Sequence, residues 1–147
     1  MTTPSSTVSP ADVMRRYRVI AVVGASKNPA KEAHAVPLYL KGNGYRVIPI
    51  NPAANEIFGE KAYPSLSEIP DHLAREIEVV EVFRPSEELP EVARQVVEME
   101  KRYHRPFVFW SQLGLENEEA KETLAGDGIA YVMNACMRAV HASMADM

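Results

Sequence analysis

Five short stretches of this chain are apolar with almost no alternation. They are Val19-Ile20-Ala21-Val22-Val23, Val47-Ile48-Pro49-Ile50, Val79-Val80-Glu81-Val82-Phe83, Phe107-Val108-Phe109-Trp110 and Ile129-Ala130-Tyr131-Val132. Runs of this kind belong to strands covered on both faces, as in a parallel sheet. Between them the period lengthens. Leu89, Val92, Ala93, Val96 and Val97 recur at helical spacing, with Glu and Arg on the opposite side. The pattern predicts strands over 18–23, 45–50, 78–83, 107–110 and 129–132. Ser9-Pro10-Ala11-Asp12 reads as an N-cap followed by proline at the first helical position, opening a short helix to Tyr17. Further helices are expected over 34–43, from Ser86 onward, over 117–125, and from Asn134, with Asn134 as its cap. Residues 51–70 read as irregular, punctuated by Gly59, Pro64 and Pro70. Residues 1–8 read as a disordered leader and 9–147 as a single domain.

Strands separated by helices, five times over, define an α/β fold: a doubly wound five-stranded parallel sheet with helices on both faces. The expected strand order is 3-2-1-4-5. In such sheets ligands bind outside the carboxyl ends of the strands, at the switch point beside strand 1. That rule selects the loops after Val23, Ile50, Phe83 and Trp110.

Composition narrows the function without naming it. A net charge of -4 argues against nucleic acid as the main partner. No apolar stretch is long enough to span a bilayer, and the first ten residues lack the features of a signal peptide. A single cysteine, Cys136, excludes an internal disulfide and a multi-cysteine metal site. A cytoplasmic protein is expected, with a homo-oligomer or a protein partner left open. His34, His72, His104 and His141 show no metal-ligand spacing. Cys136 and His141 would stand about 140° apart on a helix, a poor dyad. No serine sits in a nucleophile elbow.

The four loops carry the candidate chemistry. Loop 1 runs Gly24-Ala25-Ser26-Lys27-Asn28-Pro29-Ala30-Lys31. Gly24 permits a sharp turn and close approach of a ligand. Backbone N–H groups, the Ser26 hydroxyl, Lys27 and Lys31 suit a pyrophosphate, and His34 can add a donor. The loop is neither G-x-G-x-x-G nor a Walker loop, and the same residues also make a plain strand-to-helix turn with solvated lysines. In dinucleotide folds the second strand ends on an acid that holds the ribose. Here Asn51-Pro52 stands there, which weighs against NAD. Asn51 can bond a ribose or adenine, or simply open a turn. Phe83 and Arg84 put a ring and a guanidinium at the third strand end, for phosphate or adenine; the alternative is a surface pair of Arg84 with Glu87 or Glu88. Gln112 can bond a ligand group from loop 4, and Trp110 reads as core. Glu81 is the anomaly. An acid inside a parallel strand is costly unless paired, so it faces a polar crevice or marks an edge.

At these loops the chain resembles the small CoA-binding family of Rossmann-like proteins, similar to the CoA-binding domain of the succinyl-CoA synthetase alpha subunit. The matching pieces are Ile20–Ser26 with Asn28-Pro29, Gly44–Pro52, Gly59-Glu60-Lys61, Tyr63–Leu66, Val82–Pro85, Trp110–Gly114 and Cys136. They span about 13–141, in order. The resemblance implies coenzyme A or an acyl-CoA as ligand. Gly24, Ala25, Ser26 and Lys27 would face the nucleotide, Lys31 the pyrophosphate, and Asn51 and Pro52 the adenosine. Phe83, Arg84 and Gln112 would line the next strand ends. CoA also accounts for the missing acid, because its 3′-phosphate would be repelled by a carboxylate there. The chain departs from the family at Glu81, where Asp is common, and at Asn134-Ala135, where Asp-Arg precedes the cysteine. The synthetase's phosphorylated histidine lies in a second domain with no counterpart here. A binding protein without catalytic machinery is therefore the expectation; the alternative is an NAD(P)-dependent oxidoreductase or a related nucleotide-using enzyme.

Overall fold

The computed structural model describes residues 8–144, so the expected leader lies outside the described residues except for Val8. Strands β1 (Val19–Val23), β2 (Arg46–Ile50), β5 (Val79–Val82), β6 (Val108–Ser111) and β7 (Tyr131–Val132) form one parallel sheet. Helices α1 (Pro10–Arg16), α2 (Glu32–Lys41) and α6 (Met137–Met144) cover one face. They pack Val13, Met14, Val36, Leu40 and Met137 against Ile20, Val22, Val79 and Trp110. Helices α3 (Asp71–Ala74), α4 (Leu89–Tyr103) and α5 (Glu118–Gly126) cover the other, setting Leu73, Leu89, Val92, Val96 and Leu124 on Ala21, Val80, Val82 and Phe109. Burial of each such side chain contributes about 1.5–3 kcal/mol.

Local signals place most of these elements. Ser9 caps α1, its hydroxyl accepting from the Asp12 N–H, with Pro10 at the first position. Asn117 caps α5 by accepting from Ala120 N–H at 2.9 Å. The apolar stripe of α4 lies on the sheet as its spacing requires, and the helix stops where His104 turns left-handed at φ +55°.

The order of the strands is where the sequence reading needs correction. It is β2-β1-β5-β6-β7, that is 2-1-3-4-5 in the numbering of the five expected strands. The third long strand pairs with β1, Val22 opposite Glu81, and β2 lies at the edge. Pro49 gives the physical reason. Its carbonyl accepts from Tyr63 N–H on the side away from β1, so its missing N–H faces the same outer side. A proline is tolerated there because no strand needs a donor at that position.

Three smaller differences follow from tertiary contacts. Residues 51–70 hold a two-stranded hairpin, β3 (Glu56–Ile57) with β4 (Glu60–Lys61), and a single 3₁₀ turn at Leu66–Glu68. Asn134 does not cap the last helix. It is left-handed at φ +60°, and its side-chain oxygen accepts from Gly114 N–H at 2.6 Å, tying two loops together. Glu81 lies neither on an edge nor in a polar crevice.

Glu81 is fully buried between β1 and β6, opposite Val22 and Trp110, and neither carboxyl oxygen has a hydrogen-bond partner. Burial alone pushes its pKa up from 4.5 to about 8, so it is mainly neutral at pH 7. The folded state therefore keeps a proton that the unfolded chain releases. Its contribution to stability is complete below the unfolded pKa and declines by about 1.36 kcal/mol per pH unit until the folded pKa is passed. Glu81→Gln should remove this dependence. In urea unfolding at pH 5 and pH 8, the variant's stability relative to the parent should rise by a few kcal/mol between the two. A difference that stays flat would mean that the carboxylate is solvated or paired.

Candidate functional site

Gly24 stands where β1 ends, at φ +86°. Its N–H donates to the Ile50 carbonyl at 3.1 Å, and Phe83 N–H donates to the Val23 carbonyl at 2.9 Å. The last residues of β1 are thereby pinned to both neighbouring strands. A Cβ at Gly24 would lie 3.0 Å from Arg84 Cδ and 3.2 Å from the Phe83 carbonyl oxygen. Only a glycine satisfies both the turn and this contact.

Beside this turn a cavity of about 410 Å³ opens at the carboxyl ends of β1, β2 and β5. Its volume falls within the range of small-molecule sites. Val23, Ile50, Leu66 and Val92 give it apolar walls; Pro52, Pro64 and Ser65 close one side; Arg84, Glu87, Glu88, Glu91 and Gln95 line the other. Arg84 is the one cation among these lining residues. Its Nε and Nη2 both donate to Glu88 Oε1, at 3.1 and 2.6 Å. Both side chains are about two-fifths exposed, so this pair adds at most about 1 kcal/mol to stability.

Three of the expected site residues, Gly24, Pro52 and Arg84, line this cavity. The others divide between bracing and exposure. Ala25 is buried among the residues beneath α2, while its carbonyl accepts from Asn51 Nδ2 at 2.8 Å. Asn51 Oδ1 accepts from Ala53 N–H at 2.7 Å, so the amide is spent joining loops 1 and 2. The Ser26 hydroxyl accepts from Asn28 N–H at 3.0 Å, and the Ser26 carbonyl contacts His34 Nδ1 at 2.7 Å. His34 thus holds the loop from α2. Phe83 is half-buried against the same helical layer. Lys27 and Lys31 are exposed on the loop leading into α2, and neighbouring Glu32 is held by Arg138. The loop and helix N-terminus give a place where an anion is favoured.

Gln112 is turned away from the cavity. It is buried, and its Oε1 lies 3.5 Å from Met137 N–H at the start of α6. Trp110 is core, as expected, its indole N–H donating to the Ala135 carbonyl at 2.8 Å. Cys136 is a half-buried free thiol. Tyr39 and His141 share a 2.8 Å hydrogen bond between α2 and α6, so His141 serves helix packing. Among the described residues no group of three or more His, Cys, Asp or Glu is placed to hold a metal ion, and no helix is long and apolar enough to cross a membrane.

The cavity residues missed in the sequence lie on the segment Pro64–Leu66 and on α4 with its lead-in. Glu88, Glu91, Val92 and Gln95 share one helical face by their spacing, which was legible. That this face looks over the end of β1 depended on β5 being its neighbour.

Residues 18–142 match the family described as CoA binding domain. The chain belongs to that family. A Bacillus subtilis relative, "Uncharacterized protein YneT", is 40% identical over 131 residues, covering 89% of this chain and 90% of that protein. A solved structure of a hypothetical protein from Pyrococcus horikoshii superposes with a TM-score of 0.81 at 34% identity, covering 99% of this chain and 98% of the other. An ADP-forming acetate–CoA ligase from Archaeoglobus fulgidus is 36% identical over 75 residues, half of this chain but only 10% of the ligase. The CoA-binding domain family thus includes this whole α/β sheet.

Gly24→Ala should cost roughly 1–3 kcal/mol, the sum of a left-handed alanine and the displaced Arg84 stem. Thermal unfolding would measure it. An unchanged Tm would mean that the turn relaxes without cost.

Proposed function

We propose that the chain binds coenzyme A or an acyl-CoA in the cleft beside Gly24 and performs no chemistry on it. The observation that carries this reading is the cavity at the β1–β5 switch point. It has an apolar body, a glycine turn at its base and an arginine on its wall. Family membership selects CoA among the ligands that such a cleft can take. Part of the ligand enters the cavity. Its phosphates lie towards the loop of Gly24, Ala25, Ser26, Lys27 and Lys31, where two cations and the α2 N-terminus stand ready. Asn51 and His34 act by bracing that loop. Gln112 joins α6 to the sheet and does not touch the ligand.

The NAD(P)-dependent reading is less well supported. A dinucleotide site uses an acid at the end of the second strand to hold the ribose, whereas Asn51 stands there with its amide engaged by Ala25 and Ala53. A cytoplasmic location fits a small domain of this kind.

Saturating CoA and acetyl-CoA should each raise the melting temperature, while NAD and NADP should leave it in place. A ligand at a hundred times its Kd stabilises by about 2.7 kcal/mol, or roughly 5–10 °C for a domain of this size. No shift with CoA would refute the reading. Arg84→Ala should weaken CoA binding roughly tenfold, the loss of one charge-assisted contact, while the protein stays folded. Unchanged affinity by calorimetry would reduce Arg84 to a surface ion pair.

A further inference from the structure

The cavity contains a conflict of charge. Its one lining cation, Arg84, already spends two N–H donors on one carboxylate oxygen of Glu88, and Glu87 and Glu91 stand on the same wall. Glu91 is answered by Arg94 at 2.9 Å. Glu88 is answered only through Arg84 among the described residues. The Arg84 stem lies against the Gly24 backbone, with Cδ only 3.0 Å from where a Cβ would stand. A phosphate that reached Arg84 would meet the Glu88 carboxylate within the same few ångströms and be repelled by it.

We propose that Glu88 is a specificity-determining residue, a latch that occupies Arg84 until a ligand phosphate displaces it. This rests on the CoA reading of the cleft. A lone small anion gains too little from one exposed guanidinium to displace a carboxylate four residues away on the same turn. A ligand held at the same time by the apolar cavity and by loop 1 brings its phosphate to Arg84 at high effective concentration and opens the pair. The latch thus sets selectivity against free phosphate, at the expense of affinity for the whole ligand. Two groups on CoA share the required chemistry, the 3′-phosphate and the pyrophosphate.

The test is calorimetry on the parent, Glu88→Gln, Arg84→Ala and the double variant, titrated with CoA, dephospho-CoA and inorganic pyrophosphate. Glu88→Gln should bind CoA roughly three- to tenfold more tightly, from the released guanidinium and the lost repulsion. The double variant should lose that gain and fall to the level of Arg84→Ala. If dephospho-CoA shares the gain, the pyrophosphate is the partner of Arg84; if it does not, the 3′-phosphate is. Both results support the latch. Unchanged or weaker CoA binding by Glu88→Gln, with an unchanged Tm, overturns it and makes Glu88 a scaffold for Arg84. If the parent binds no CoA, the CoA reading fails. The latch is then judged with inorganic pyrophosphate, which must bind Glu88→Gln more tightly than the parent, and equal binding overturns it.

Discussion

A strand paired on both sides, with apolar layers above and below, can end only where the chain finds room to leave the sheet. β1 is such a strand, and Gly24 is that exit. The Gly24 N–H goes to β2 and the Val23 carbonyl receives an N–H from the end of β5, so both neighbours are held level with the turn. The next segments must then diverge, loop 1 rising to α2 on one face and Arg84 leading to α4 on the other. The cavity lies over the Gly24 turn, between the segment that follows β2 and the start of α4. Its position follows from the hydrogen bonds of three strand ends, and the side chains around it are placed by the elements that those ends launch.

This geometry separates bracing from binding. Ser26, His34 and Asn51 do not line the cavity; the Ser26 hydroxyl, His34 Nδ1 and the Asn51 amide bond backbone groups of loops 1 and 2. These bonds hold loop 1 in one conformation. Lys27, Lys31 and Arg84 carry the positive charge, two of them solvated and one engaged with Glu88. The electrostatics of the cleft are thus divided, with the cationic loop on one side and the acidic start of α4 on the other. The acids at that start also complement the positive end of the helix dipole.

Glu81 shows a different economy. A fully buried carboxyl without a partner survives because it can keep its proton. Neutral, it is one polar group among hydrophobes; ionised, it would oppose folding. The sheet tolerates it between Val22 and Trp110 at a cost that grows with pH.

Much was legible from residues 8–144 alone. Unbroken apolar runs announced buried parallel strands, the Leu89–Val97 stripe announced α4, and Ser9 announced its cap, because each rests on interactions within a few residues. Gly24, Pro52 and Arg84 announced the corner of the fold where the cavity opens. The expected order 3-2-1-4-5 put the third strand beside the second, although Pro49 bore on it, since a missing N–H has meaning only once the strand's outer side is known. Gln112 was expected at the strand end and is found outside the cavity lining, its amide oxygen near the start of α6. The sequence by itself determined the five strands of the main sheet and its longer helices, though not the β3–β4 hairpin or α3, and which loops gather at the sheet's carboxyl end, through periodicity and turn chemistry. Only the tertiary structure decided that β5 lies beside β1 and that the α4 face overlooks Gly24. Those facts depend on contacts between residues far apart in the chain, which no local pattern specifies.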